Sequence, residues 1–269
     1  MLIQNPARVL IIAGSDSGGG AGIQGDIKTV TCLGGYGATA ITALTAQNTT
    51  GVYGICDVPE DFIAQQINLV LDDIGADAIK TGMLSKASVI KTVADCLAPY
   101  PHIPFVLDPV MVAKGGAALL AEDALSILKS RLIPMASILT PNIPEAELLA
   151  DMKIENVEDM EKAAQKILKL GCKIVLIKGG HLDSDTISDL LITSDDKAIF
   201  SNPRTHTKNT HGTGCTLASA IATGLAQKLS PYDAVARARS YVQKAIQTAP
   251  NIGKGHGALW HAHTVKKFM

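Results

Sequence analysis

The chain has 269 residues, of which 47% are hydrophobic, 18% charged and only 4% aromatic. Its 24 Lys and Arg residues nearly balance its 25 Asp and Glu residues. No bulk positive field therefore exists to hold a nucleic acid or an anionic membrane surface, and an anionic ligand must be bound locally. Chains of this length commonly fold as one α/β unit, so we expect a single domain over residues 1–269.

The cysteines and apolar runs indicate a cellular compartment. The five cysteines are scattered without a CxxC pair: Cys32, Cys56, Cys96, Cys172 and Cys215. This spacing favours neither a disulfide framework nor a structural zinc site. The run Val9–Ala13 is too short for a signal-peptide core, and no later run approaches about 18 apolar residues. We therefore expect a cytoplasmic protein with reduced thiols and no membrane span.

Short apolar runs bounded by turn residues recur along the chain, and each is typical of a buried strand. They span residues 8–14, 38–44, 77–83, 104–110, 136–142 and 173–180. Helical spacing of apolar residues separates several of these runs, for example over 61–71 and 87–97. Strands that alternate with helices predict a three-layer α/β/α fold with a mostly parallel sheet and helices on both faces.

The alternation breaks late in the chain. Two apolar runs within 189–200 flank the polar turn at 194–197, which predicts a hairpin at the edge of the sheet. One helix should then run from the turn at 212–215 through Leu225. Another should begin at Pro231 with Ser230 as its N-cap.

Gly20–Gly25 matches GxGxxG after a predicted strand, the pattern of a dinucleotide-binding turn. This leaves an NAD-dependent oxidoreductase as one hypothesis. The pattern also expects an acid about 20 residues further on, but the first acid after Asp26 is Asp57. Neither a GxSxG elbow nor a GK[ST] sequence is present in this region. We expect a glycine loop whose backbone approaches a ligand.

Residues 210–217, THGTGCTL, carry glycines where a turn runs into an apolar helix. Backbone NH groups at a helix N-terminus attract anions, and glycines at 212 and 214 let the backbone curl into a nest. Cys215 in this turn could be a nucleophile, a metal ligand, a proton acceptor or a packing residue. Because a helix N-terminus can lower a thiol pKa, we expect a useful thiolate fraction at Cys215.

Polar residues follow three further predicted strands, where an open parallel sheet has its ligand crevice. They are Asp108, Asn142 with Glu145, and Lys178. Asn142 and Glu145 could instead form only a helix capping box, and Lys178 could be an exposed lysine. With the turn at 212–215, these residues supply an oxyanion cradle, a cation and oxygen ligands for Mg²⁺. This combination is the set of groups expected for phosphoryl transfer from a nucleotide.

These motifs resemble the hydroxymethylpyrimidine and phosphomethylpyrimidine kinases of the ribokinase-like superfamily over nearly the whole chain. The resemblance rests on AGSDSGGGAGIQGDIKT (13–29), ITALTAQNTTGV (41–52), IKTGML (79–84), VLDPVMVAKGG (106–116), LTPNIPEAELL (139–149), KGGH (178–181), TKNTHGTGCTLASAIA (207–222) and GHG (255–257). It implies that ATP phosphorylates 4-amino-5-hydroxymethyl-2-methylpyrimidine and then its monophosphate in thiamine biosynthesis. We also expect a homodimer with Mg²⁺, and leave open a monovalent cation.

The resemblance implies roles for individual residues. The pyrimidine would be held by Gly14, Asp26, Gln47, Met83 and Val110. ATP and its phosphates would be bound by Asp108, Lys114, Asn142, Glu145, Lys178, Thr210, Gly212 and Gly214. Asn142 and Glu145 would act around Mg²⁺, partly through water. The anion hole would comprise Gly212, Thr213, Gly214 and Cys215, with Lys178 on the transferring phosphate and Cys215 as catalytic base. Residues 111–116 would form a flap that carries Lys114.

Two positions depart from the family pattern and bear on loop rigidity. Ser17 stands where proline is frequent, and Gly115 where serine is frequent.

A pyridoxal or pyridoxine kinase is the nearer alternative, because some pyridoxal kinases keep the cysteine where many superfamily kinases carry Asp. A catalytically silent pyrimidine-binding protein is a further alternative, against which the retained Asn142, Glu145, Lys178 and Cys215 argue.

Overall fold

A computed structural model describes residues 5–111, 122–182 and 184–265. Nine strands lie within these ranges: β1 Arg8–Asp16, β2 Tyr36–Asn48, β3 Gly51–Asp57, β4 Ala78–Thr81, β5 Phe105–Leu107, β6 Ile138–Leu139, β7 Val175–Ile177, β8 Thr186–Ile192 and β9 Lys197–Pro203. They form one sheet in the order β3-β2-β1-β4-β5-β6-β7-β8-β9. All six strands predicted from apolar runs are present.

Eight α-helices lie within the same ranges: α1 Gly22–Cys32, α2 Glu60–Leu69, α3 Ala87–Leu97, α4 Glu122–Ile127, α5 Ile143–Ala150, α6 Val157–Leu168, α7 Thr213–Ala226 and α8 Pro231–Gln247. The predicted N-cap of α8 is confirmed, since the Ser230 side chain accepts a hydrogen bond from the Asp233 backbone NH. No helix in the described part of the chain is long and apolar enough to cross a membrane.

The six central strands, from β2 through β1, β4, β5 and β6 to β7, run parallel. Antiparallel strands close both sides, with β3 beside β2 at one edge and β8 and β9 at the other. The predicted hairpin is thus confirmed as β8–β9. Strand β3 was not predicted, because most of its residues are exposed and carry no buried apolar run.

Alternate residues of β1 face two separate cores, because successive side chains in a strand point to opposite faces of the sheet. Leu10 and Ile12 pack in a cluster with residues of α2 to α6. Val9 and Ile11 pack in a second cluster with residues of α1, α7 and α8. The sheet therefore lies between two helical layers, which confirms the predicted three-layer α/β/α fold.

Gly179 determines how the chain leaves β7 towards the candidate site. A Cβ at this position would overlap the carbonyl oxygen of Ser188 in β8. The Gly179 backbone NH donates to Asp189 Oδ1 at 2.8 Å. This hydrogen bond holds the Gly179 backbone close to Ser188 and Asp189 of β8. Only a residue without a side chain fits here, and the fit places Lys178 at the carboxyl end of β7.

We expect Gly179→Ala to lower the free energy of unfolding by about 1–3 kcal/mol, because the new methyl group forces β8 away from the chain. The matched control is Gly180→Ala, whose Cβ would meet no atom within 4 Å. Thermal unfolding of both variants would measure the difference. Equal losses of stability would show that the contact between Gly179 and Ser188 does not constrain the chain.

Candidate active site

Sequence-predicted site residues meet at the carboxyl ends of the parallel strands. The turn before α7 lies beside residues from β5 and β7, since a Cβ placed on Gly214 would be 3.3 Å from Lys178 Nζ and 3.8 Å from Asp108 Oδ2. At the end of β1, a Cβ on Gly14 would lie 3.5 Å from Met83 Sδ. The fold therefore brings together groups that follow or end four strands and the group of residues at the start of one helix, all at the carboxyl ends of the parallel strands.

Gly212 is the N-cap of α7 and has a φ of 85°, in the left-handed region that favours glycine. A Cβ at this position would also overlap the carbonyl oxygen of Gly20. No side chain caps the start of α7. The Thr213 NH donates to the Thr210 carbonyl oxygen at 3.4 Å, and the NH groups that follow it in the first turn can serve an anion. The helix begins where the sequence predicted it.

Lys178 and Asp108 form an ion pair inside the crevice. Lys178 Nζ donates to Asp108 Oδ1 at 3.0 Å, and Thr140 Oγ1 donates to the same oxygen at 3.1 Å. Burial opposes the charge on Lys178, but the carboxylates of Asp108 and Glu145 outweigh it and raise the pKa of the ammonium. Lys178 is thus a fixed cation next to Gly214.

Asn142 and Glu145 form a complete capping box at the start of α5. Asn142 Oδ1 accepts from the Glu145 backbone NH at 2.9 Å, and Glu145 Oε2 accepts from the Asn142 NH at 2.8 Å. Burial raises the pKa of Glu145 to about 7; Lys178 lowers it and Asp108 raises it further. Glu145 is therefore a buried carboxyl group whose ionised form the nearby Lys178 compensates only in part.

The described residues contain no group of three or more His, Cys, Asp or Glu side chains placed to hold a metal ion. Oxygen donors at Asn142 and Glu145 nevertheless suit Mg²⁺, which is usually held by one or two carboxylates together with substrate phosphates and water. A cation beside Glu145 would also favour its ionised form. The donor set therefore fits a divalent ion that arrives with a nucleotide.

A second buried lysine lies under the turn, and sequence reasoning missed it. Lys80 Nζ donates to Asp26 Oδ2 at 2.8 Å, and both side chains are fully buried. Asp26 Oδ1 accepts from Ser219 Oγ of α7 at 2.7 Å. Burial works against the ammonium, but Asp26, Cys215 and Asp108 together raise the pKa of Lys80. The signal available in the sequence was a single lysine within a short run that was itself predicted to be a buried strand.

The arrangement does not support the prediction that Asp26 contacts the pyrimidine. Its side chain is completely enclosed, and Lys80 and Ser219 occupy its two carboxylate oxygens. Burial raises the pKa of Asp26, while the nearby Lys80 ammonium lowers it. Asp26 thus holds Lys80 and α7 in place behind the crevice.

The expected thiolate at Cys215 is wrong for the protein without ligands. Burial raises the pKa of the thiol to about 11, and the Asp26 and Asp108 carboxylates add to this effect. Lys80 and the backbone NH of Gly22 act in the opposite direction but do not compensate. Burial therefore outweighs the stabilisation expected from the helix N-terminus.

Other predicted ligand residues lie at the same ends of the strands. Gln47 lies near the end of β2, and Val110 is half-buried two residues after Asp108. Thr210 accepts, through its carbonyl oxygen, a hydrogen bond from Thr213 Oγ1 at 2.7 Å. Lys114 and the rest of the expected flap after Met111 lie outside the described residues.

Asp16 and His211 join the glycine loop to the turn, and neither was predicted as a site residue. His211 Nε2 lies 2.8 Å from Asp16 Oδ2. Asp16 also accepts from the backbone NH groups of Gly18, Gly20 and Ala21. An aspartate within a glycine-rich loop was the only signal in the sequence.

The sequence model of the family described as phosphomethylpyrimidine kinase matches residues 16–260. A hydroxymethylpyrimidine/phosphomethylpyrimidine kinase from Bacillus subtilis is 46% identical, with 94% of each chain covered. The thiamine biosynthesis bifunctional protein ThiED from Geobacter sulfurreducens is 53% identical over 94% of this chain. The chain spans only about half of that relative, 52% of its length.

Two solved structures are similar to the whole fold. A phosphomethylpyrimidine kinase from Clostridium difficile has a TM-score of 0.80 at 43% identity and covers 89% of this chain and 99% of its own. A Bacillus subtilis pyridoxal kinase with ADP has a TM-score of 0.90 at 33% identity and covers 97% and 99%. The residues matched by the family model, 16–260, include most of the glycine loop, the crevice residues and the turn before α7. The chain therefore belongs to the phosphomethylpyrimidine kinase family.

Proposed function

We propose that the chain transfers the γ-phosphoryl group of ATP to the hydroxymethyl oxygen of 4-amino-5-hydroxymethyl-2-methylpyrimidine, and then to the resulting monophosphate. One observation carries this proposal: the uncapped start of α7 lies directly beside Lys178 and Asp108. Backbone NH groups and a fixed cation at one point suit a transferring phosphoryl group. The curated relatives that bear this activity in their names support the choice of substrate.

The chemistry follows from the groups in the crevice. The substrate oxygen attacks the γ-phosphorus and forms a P–O bond, while the bond to the oxygen that bridges the β and γ phosphorus breaks and ADP leaves. The turn at 212–215 and Lys178 stabilise charge on the transferring group. The hydroxyl proton passes to the sulfur of Cys215 in its thiolate form. Because such transition states are usually loose, positioning contributes more than base strength.

Asn142 and Glu145 would hold Mg²⁺, partly through water, next to the nucleotide phosphates. The ion would neutralise phosphate charge as the bond to ADP breaks. Lys114, Asp108 and Thr210 complete the proposed nucleotide site. Gly14, Gln47, Met83 and Val110 are proposed to line the pyrimidine site. We further propose one domain, a homodimer, a cytoplasmic location, and a monovalent cation as an additional ion to be tested.

Pyridoxal kinase activity is the second candidate, favoured by the high structural similarity to the pyridoxal kinase with ADP. Turnover of the pyrimidine, its monophosphate and pyridoxal should be compared with ATP at equal enzyme concentration. We expect both pyrimidine compounds to be phosphorylated with much higher kcat/KM than pyridoxal. Efficient use of pyridoxal with two inert pyrimidines would overturn the proposal in favour of the second candidate.

Cys215→Ala should slow phosphoryl transfer by about 10²- to 10⁴-fold, because the hydroxyl proton loses its acceptor. Pyrimidine affinity should change little, and Cys215→Asp should retain part of the rate. Single-turnover rates and equilibrium binding would separate the two effects. Cys56→Ala, at an exposed cysteine, is the matched control. Full activity of the alanine variant at position 215 would reduce Cys215 to a packing residue.

The raised pKa of Cys215, about 11, predicts a pH dependence of the transfer step. Below that value the thiolate fraction rises by about tenfold for each pH unit. We therefore expect the single-turnover rate to rise steeply between about pH 7 and pH 9. Cys215→Asp should show a much flatter profile, since a carboxylate is already ionised there. A flat wild-type profile would contradict proton transfer to Cys215.

Glu145→Gln should raise the Mg²⁺ concentration needed for half-maximal activity by about tenfold or more, because the neutral amide binds Mg²⁺ more weakly than a carboxylate. Its amide oxygen can still accept from the Asn142 NH, which preserves the capping box. Titrations with Mg²⁺ at fixed ATP would measure the shift. Glu147→Gln, on the same helix and paired with Lys153, is the control. An unchanged Mg²⁺ requirement would remove Glu145 from the metal site.

A further inference from the structure

Lys178 is held by a hydrogen bond on each side of its Cα. Its own backbone NH donates to the Pro141 carbonyl oxygen at 2.9 Å. The next NH along the chain, that of Gly179, donates to Asp189 Oδ1 of β8 at 2.8 Å. Because peptide groups are planar, these two bonds fix both groups that flank the Lys178 Cα. They thereby fix the direction in which the lysine side chain leaves the backbone.

Asp189 supplies the second of these bonds from within the neighbouring strand. Ile177 of β7 is paired with Leu190 of β8 in antiparallel register, and the same register would place Asp189 across from Lys178. The Asp189 side chain is only 8% exposed. A buried side-chain oxygen therefore accepts from the peptide group that follows Lys178. A side chain can hold a peptide group in place only if the side chain is itself held.

Arg239 of α8 holds the other oxygen of that carboxyl group. Its Nε lies 2.9 Å from Asp189 Oδ2. The guanidinium group also donates to the Ile187 carbonyl oxygen at 3.3 Å, and its Cζ lies 5.7 Å from the centroid of the Phe200 ring in β9. Arg239 thus contacts both strands of the edge hairpin, and these contacts fix its guanidinium group against Asp189.

The Lys178 side chain ends at the proposed site of phosphoryl transfer. Its Nζ donates to Asp108 Oδ1 at 3.0 Å and would lie 3.3 Å from a Cβ on Gly214 in the turn before α7. A cation stabilises charge on a transferring group only from an accurate position. A misplacement of about 1 Å can lower a rate by about 10²-fold. The backbone direction at Lys178 therefore bears on the transfer step.

We propose that Asp189 and Arg239 are positioning residues for phosphoryl transfer, which hold the peptide group after Lys178 and thereby place its ammonium beside the turn. This inference rests on the proposed function, in which Lys178 contacts the transferring phosphoryl group. Both residues act through Lys178 and not by touching a substrate. They give β8 and α8, which carry none of the other proposed site residues, a part in the reaction.

The test begins with Asp189→Asn. An amide has one oxygen, but both Gly179 and Arg239 donate to the carboxyl group, so one donor would face the amide NH₂ group. We expect the single-turnover rate of transfer to fall by about tenfold or more. Adding Arg239→Gln should restore most of that rate. The glutamine oxygen can accept from the asparagine NH₂ group, while the asparagine oxygen accepts from Gly179.

The same substitution in a second background separates positioning from general damage. With enzyme in excess, a single-turnover rate constant does not depend on the fraction of enzyme that is folded. In Lys178→Met protein, Asp189→Asn should change the rate by less than about twofold, because the group through which it acts is gone. Asp185→Asn, at a fully exposed aspartate just before β8, is the control. A full rate in Asp189→Asn, no recovery with Arg239→Gln, or equal losses in both backgrounds would overturn the inference.

A binding measurement needs no acceptor and separates the inference from the choice of substrate. ADP with Mg²⁺ and aluminium fluoride imitates the transferring phosphoryl group, whereas ADP with Mg²⁺ alone does not. By calorimetry we expect Asp189→Asn to weaken binding of the fluoride complex by about tenfold and binding of ADP by less than about twofold. Equal weakening of both would contradict the inference. If the wild type phosphorylated neither pyrimidine, the proposed substrate would fail, whereas the two affinities would still test Asp189.

Discussion

The site depends first on the buried ammonium of Lys80. It is fully enclosed and bound to Asp26, whose second oxygen is bound by Ser219 of α7. These contacts tie β4, α1 and α7 to each other, because an unpaired charge in the interior would cost several kcal/mol. Buried ion pairs often add little stability compared with apolar residues of the same size. The Lys80–Asp26 pair therefore contributes mainly by holding the first turns of α7 in place against the sheet.

Positive and negative side chains in the crevice nearly balance each other. An anion is therefore bound more by backbone NH groups than by net positive charge. Lys80 and Lys178 are each paired with an aspartate, at 2.8 and 3.0 Å respectively. Little net positive charge is left, so backbone NH groups at the start of α7, where no side chain caps the helix, would carry more of the binding of a phosphate. Burial, with the carboxylates of Asp26 and Asp108 adding to it, also raises the pKa of the Cys215 thiol to about 11 despite the nearby Lys80. Positioning by the turn then matters more than the strength of the base.

The sequence was sufficient where the signal is local. Apolar runs predicted the six central strands, and the glycines at 212 and 214 predicted the start of α7. Lys80 was missed because its partners, Asp26 and Ser219, are distant in the chain and only the fold joins them. The thiol pKa was mispredicted for a related reason. The helix N-terminus is visible in the sequence, whereas the loss of water around the half-buried Cys215 arises only when the fold closes the crevice around it.

Substrate choice cannot follow from the backbone, because one fold serves kinases named for pyrimidines and for pyridoxal. What distinguishes two small rings is the order of donors and acceptors at their edges, and a protein can read that order only with a group of fixed orientation. A glutamine alone does not provide this, since its amide can turn. The choice between these rings therefore depends on side-chain contacts that the shared backbone does not determine.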